Sequence, residues 1–121
     1  MERISDVFSE LIIKKIEKFQ ESKINNKKQI LEEFIKYLQS DNSSEVFIAL
    51  WGLGKLQLNE TVDKILPLLK HWDRYIRRDT IEILGKIGDK RAKDPLRNLL
   101  EKETNSLTRG RILEALDKLK D

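Results

Sequence analysis

A short phrase returns along this chain at a nearly fixed interval. Leu53-Gly54-Lys55-Leu56 reappears as Leu84-Gly85-Lys86-Ile87, and again as Leu116-Asp117-Lys118-Leu119. The stretch ahead of the phrase repeats in step with it. Ile65, Leu68 and Leu69 recur as Leu96, Leu99 and Leu100, and a looser copy, Leu31, Phe34 and Ile35, lies before them. A period of roughly 30 residues marks stacked supersecondary units, each unable to bury its apolar face alone. Such arrays present surfaces more often than they enclose reaction centres.

Helical periodicity accounts for nearly the whole chain. A first helix, about Arg3 to Glu21, carries Ile4, Phe8, Leu11, Ile12, Ile16 and Phe19 on one face. Ser22 to Asn26 interrupts it. A second helix, about Lys27 to Gln39, should bury Leu31, Phe34, Ile35 and Leu38. The third runs from about Ser44 to Gln57. Asn59 offers a cap for a fourth, Glu60 to Lys70, which Pro67 should distort. Asp73 caps a fifth helix ending near Ile87, where Gly88 suits the left-handed C-terminal position. Arg91 to Glu103 forms the sixth with Pro95 in its first turns, and Asn105 opens a seventh that runs almost to Asp121. Short loops make consecutive helices antiparallel neighbours. The expected fold is all-α, with residues 1–121 as a single domain: a capping helix over 3–21 and repeats over 27–57, 60–88 and 91–120.

One segment is similar to a known family. Asp73, Ile76-Arg77, Thr80-Ile81, Ile83 through Asp89, then Ala92, Pro95-Leu96 and Leu99-Leu100 resemble a HEAT-type repeat. The likeness is to the bacterial and archaeal branch related to phycobilin lyase HEAT-like repeats. It implies an α-solenoid of about three helical hairpins. In that family the Pro-Leu helix forms the outer, convex layer and the Val-Arg helix, here matched by Ile76-Arg77, the inner, concave one. The aspartate and arginine would link neighbouring repeats. The aspartate position reads Asn42, Asp73 and Asn105, all residues that cap helices. The arginine position reads Val46, Arg77 and Arg109, so the first repeat departs from the pattern.

Several chemistries find no residues here. With no cysteine there is no disulfide and no thiolate-bound zinc, and with one histidine, His71, no His pair or Ser-His-Asp set can assemble. Glu32 and Glu33 are adjacent, so on a helix they diverge by about 100° and read as a solvated outer face. Gly52 and Gly54 lie inside a helical pattern, not in a phosphate loop, and Gly52 suits close helix approach. No catalytic residue, cofactor or metal is expected. The start lacks the order of a signal peptide, and no apolar run approaches the roughly 20 residues of a membrane span. A soluble, cytoplasmic chain is the expectation.

The inner helices carry the candidate surface. On a wheel of about 100° per residue, Ile76, Thr80, Ile83, Leu84 and Ile87 of the fifth helix face the core. Arg78 and Glu82 point away, with Gly85 and Lys86 beside them. The matching positions are Phe47, Trp51, Gly54 and Lys55 in the third helix and Gly110, Glu114, Asp117 and Lys118 in the seventh. A partner protein or peptide is therefore expected to meet Phe47, Trp51, Lys55, Arg78, Glu82, Lys86, Glu114 and Lys118. The competing structural reading has the N-terminal helix, with Ile13 as spare apolar surface, covering Phe47 and Trp51. Trp72 and Tyr75 read as packing residues between repeats.

The net charge of +3 resides in the C-terminal half. Residues 1–72 balance 11 basic against 11 acidic side chains, while residues 73–121 carry 13 against 10. Nucleic-acid binding is thus the alternative, through Lys55, Lys86 and Lys118 or through Arg77 and Arg109, with Arg78 and Arg111 as candidate additions to the row. A third alternative, an accessory or lyase-like role on a larger enzyme or pigment protein, follows from the resemblance alone.

Overall fold

The computed structural model describes residues 4–21 and 24–120, with side chains over 10–21 and 27–120. The expected start at Arg3, the break at Ser22-Lys23, residue Asp121 and the side chains of Ile4 and Phe8 lie outside the described residues. Among the described residues seven α-helices follow one another: α1 (Ile4–Glu21), α2 (Ile24–Leu38), α3 (Ser43–Leu56), α4 (Val62–Ile65), α5 (Arg74–Ile87), α6 (Lys93–Lys102) and α7 (Ser106–Lys118). The chain divides into two compact units, Met1–Leu56 and Gln57–Asp121, with the boundary at the end of the first repeat.

In the first unit α2 and α3 form a hairpin and α1 packs on both, mainly on α3. The buried face of α2 is Ile30, Phe34 and Leu38; Leu31 and Ile35, expected inside, are only half-buried. The cause is the spacing of four centred on Phe34. A methyl group at Gly52 would meet the Phe34 ring at 2.9 Å, so the absent side chain makes room for the phenyl ring. Gly52 thus serves close helix approach, as its sequence context suggests. In α1, Ile12 turns inward at 3% exposure while Leu11 stays 44% exposed, so the packed edge is narrower than the apolar stripe. Glu33, read as a solvated acid, accepts from Lys15 Nζ of α1 at 2.6 Å.

In the second unit the inner helices α5 and α7 pack side by side, with the α4 segment on α5 and α6 on α7. Ile76, Thr80, Ile83, Leu84 and Ile87 are all buried, as the wheel predicts. Gly85 joins them inside: a methyl group there would lie 3.1 Å from Ala115 Cα of α7. Its place is therefore the helix crossing, not the open ridge.

The fourth helix is in pieces. A 3-10 turn over Asn59–Thr61, four α residues and a second 3-10 stretch over Leu66–Lys70 replace the continuous run. Pro67 has no N–H to give back to the preceding turn, and tighter 3-10 bonding results. Asn59 makes no side-chain cap, because the first turn begins one residue early, at Leu58. The other caps form as expected. Asn42 Oδ1 accepts from Ser44 N–H at 2.9 Å, Asp73 Oδ1 from Tyr75 N–H at 2.8 Å, and Asn105 Oδ1 from Thr108 N–H at 3.0 Å. Gly88 takes φ 75 at the end of α5, and its N–H bonds the Leu84 carbonyl at 3.1 Å.

Two substitutions separate core from open surface. Leu84 is 1% exposed, so Leu84→Ala should cost about 2–5 kcal/mol. Gly110 lies within α7 with open space where a methyl group would go, so Gly110→Ala should stabilise by about 0.5–1 kcal/mol. Urea midpoints of the two variants shifting in opposite directions would bear this out. A near-native midpoint for Leu84→Ala would contradict the register.

Candidate interaction surfaces

On α3, residues Val46, Ile48, Ala49, Leu50, Gly52, Leu53 and Gly54 are buried. The stripe that remains follows the spacing of four through Phe47, Trp51 and Lys55. Phe47 and Trp51 are half-buried and Lys55 is exposed. The two aromatic rings lie 6.1 Å apart at 53°, one helical turn after another. They are thus neither bare nor sealed. Ile13 of α1, which the sequence offers as a cover for them, is 46% exposed.

The remaining candidates stand on the second unit. Glu82, Glu114 and Lys118 line a small cleft of about 80 Å³ with Arg111 and Ala115, formed where α5 and α7 approach at Gly85. Lys86 Nζ lies 3.8 Å from Glu82, one turn away. Arg78 stands at the other end of the α5 ridge, its Nε 3.6 Å from the buried Asp79 carboxylate. Acids and bases alternate along this ridge, so it is polar but not a continuous field of one sign.

Arg77 and Arg109 do something else. Arg77 Nη1 donates to the carbonyls of His71 at 2.6 Å and Trp72 at 3.0 Å. Arg109 Nη1 donates to the carbonyls of Leu100 at 2.7 Å and Glu103 at 2.9 Å. Each arginine stands four residues after its cap and reaches back to the end of the preceding outer segment. Those carbonyls have no helical N–H left to accept from, which is why a charged donor is held there.

Between the two hairpins of the second unit the tie is Arg91. It forms a fork on Asp89, with Nε to Oδ1 at 3.1 Å and Nη2 to Oδ2 at 2.8 Å, and its Nη1 reaches Asp63 at 3.0 Å. The Asn59 carbonyl accepts from the same guanidinium. The side-chain fork from Arg91, together with a hydrogen bond from its backbone N–H, holds the Asp89 carboxyl below its ordinary value.

Trp72 and Tyr75 are not packed between repeats. They are 71% and 52% exposed. Trp72 precedes the cap, and Tyr75 falls on the outward side of the first turn of α5. Arg74 and Arg78 both stack on the Tyr75 ring, each guanidinium carbon 5.1 Å from its centroid. Arg74 also donates to the Tyr75 hydroxyl at 3.2 Å, and that hydrogen bond, with the positive charge behind it, lowers the pKa of the phenol from its ordinary value.

Among the described residues no group of three His, Cys, Asp or Glu side chains is gathered for a metal ion, and no helix is long and apolar enough to cross a membrane.

Residues 31–117 match the HEAT-repeat family. The chain is a HEAT-repeat protein. HEAT repeats as a class mediate protein–protein interaction or act as scaffolds. No curated protein is significantly similar to this one. The arginine links expected between neighbouring HEAT repeats are corrected. Arg77 and Arg109 bond carbonyls of their own hairpins, since these orphan acceptors lie within one side-chain length. The role of joining consecutive repeats falls to Arg91. In the first HEAT repeat Val46 replaces the arginine and is fully buried, while Ser40 Oγ donates to Glu45 at 2.6 Å across the turn.

The arginine lock is testable. Arg77→Met keeps the stem but removes both carbonyl bonds, and should lower stability by about 1.5–3 kcal/mol, as loss of a charge-assisted hydrogen bond does. Arg97→Met, at a 61% exposed side chain, should stay within about 0.5 kcal/mol. Equal denaturation midpoints for the two variants would contradict the lock.

Proposed function

We propose that this HEAT-repeat chain is a non-enzymatic protein-interaction module that receives a partner peptide or domain on the α3 stripe of Phe47, Trp51 and Lys55. The observation that supports this reading is the inversion of the usual pattern on α3. Its other faces are core, and the strip left partly open to solvent is aromatic where a charged strip is the norm. Aromatic residues of this kind are enriched at the cores of protein interfaces, where they act as anchors. The second unit, taken by itself, carries a row of alternating charge at Arg78, Glu82, Lys86, Glu114 and Lys118, and such a row favours register over affinity for whatever meets it. A reducing, cytoplasmic setting accords with the absence of cysteine.

The nucleic-acid alternative has less behind it. The guanidiniums of Arg77 and Arg109 are occupied by backbone carbonyls. Glu82 and Glu114 interleave with Lys86 and Lys118, so a phosphate backbone would meet both signs. The accessory or lyase-like role has only the family likeness behind it.

The test is affinity capture from native lysate, with and without nuclease, using the wild-type chain and the double variant Phe47→Ser/Trp51→Ser. A partner retained after nuclease treatment and lost by the still-folded variant is the expected result. Retention unchanged in the variant, or dependent on nucleic acid, would contradict it.

A further inference from the structure

The turn His71-Trp72-Asp73, between the outer segment and α5, displays its tryptophan in a braced position. Arg77 holds the carbonyls of His71 and Trp72. The Asp73 N–H donates to His71 Nδ1 at 3.0 Å, and the His71 and Trp72 rings lie 5.1 Å apart at 30°. An exposed indole on a slack loop would lose much entropy on binding; one already held loses less. Trp, Tyr and Arg together are also the composition of interface hot spots.

The charge around these rings faces outward and is positive. Arg74 and Arg78 stack on Tyr75. A stacked guanidinium keeps its in-plane N–H donors available for a carboxylate. The nearby acids are already engaged: Asp73 caps α5, Asp79 lies 3.6 Å from Arg78 Nε with its side chain only 7% exposed, and Glu103 accepts from the Asn105 N–H. Arg78 Nε is buried without a hydrogen bond. Both arginines also line a cavity of about 210 Å³, with Arg77 on the same wall and Glu103, Asn105 and Thr108 opposite.

We propose that this element docks an acidic peptide segment, a carboxylate pairing with Arg74 and Arg78 while a neighbouring apolar side chain packs on Trp72 and Tyr75. A peptide needs a single carboxylate here. A nucleic acid would need a run of phosphates, which Glu82 further along α5 and Glu114 beside it on α7 interrupt. The proposal rests on the protein-interaction reading but places a contact on the second unit, apart from α3.

A random short-peptide display library selected on the wild-type chain tests it. The enriched peptides, made synthetically with a fluorophore, are titrated by anisotropy against wild type, Trp72→Ser, Arg74→Glu/Arg78→Glu, the milder Arg78→Gln, and Phe47→Ser/Trp51→Ser, each checked for folding by circular dichroism. The expected result is a consensus pairing Asp or Glu with an apolar residue. Binding should weaken with salt and fall roughly tenfold or more in Trp72→Ser and in the charge reversal. It should persist in Phe47→Ser/Trp51→Ser, and lysine-substituted peptides should regain affinity for the charge-reversed chain. No enrichment, a consensus without acids, or binding unchanged in Trp72→Ser and Arg78→Gln would overturn the proposal. So would selective capture of a single-stranded oligonucleotide by the same residues in place of acidic peptides. Binding lost only in Phe47→Ser/Trp51→Ser would overturn it while leaving the α3 reading intact.

Discussion

A helix that ends must place its last carbonyls somewhere, and in a protein made of hairpins this problem recurs at every turn. Here the answer in the second unit is an arginine set four residues past the cap, reaching back to carbonyls that the preceding segment cannot satisfy. The device couples two elements at once. It closes the outer segment and fixes the start of the inner helix, so the direction of α5 and of α7 is set at the turn. In the first repeat, where Val46 is buried at that position, the turn is held instead by Asn42, Ser40 and Glu45.

Once the turns are fixed, close approach does the rest. Gly85 lets α5 meet Ala115 of α7, and Arg91 gathers Asp89, Asp63 and Asn59 across the outer segments of the same unit. The consequence for function is indirect. Arginines committed to carbonyls are withdrawn from any ligand, while the turn they brace carries Trp72 into solvent. Structural and displayed residues therefore alternate within one short stretch, from His71 to Arg78.

Much of the architecture is legible in the sequence because the repeat phrase, the helical period and the caps are local signals. A wheel alone places Ile76, Thr80, Ile83, Leu84 and Ile87 correctly, and Pro67 announces the broken fourth helix. The misses share a cause. Arg91 meets partners 28 and 32 residues away, a distance at which no local pattern speaks. Trp72 precedes its helix, so no wheel assigns it a face, and large aromatics default to the core. Leu31 and Ile35 give way because the packing of one ring against Gly52, invisible in the sequence, chooses which edge of α2 turns inward. The candidate surface on α3 is readable as a stripe, but how much of it solvent reaches depends on packing.

We propose that the aromatic side chains this HEAT-repeat chain holds at its surface are contacts for a partner, which requires first that solvent reaches them. Acrylamide quenching of the two single-tryptophan proteins, Trp72→Phe and Trp51→Phe, tests it most directly. With Trp72 at 71% exposure and Trp51 half-buried, red-shifted, readily quenched emission is expected from Trp72 and intermediate quenching from Trp51. Blue-shifted, protected emission from both would place these rings in the core and leave no aromatic surface for a partner to meet.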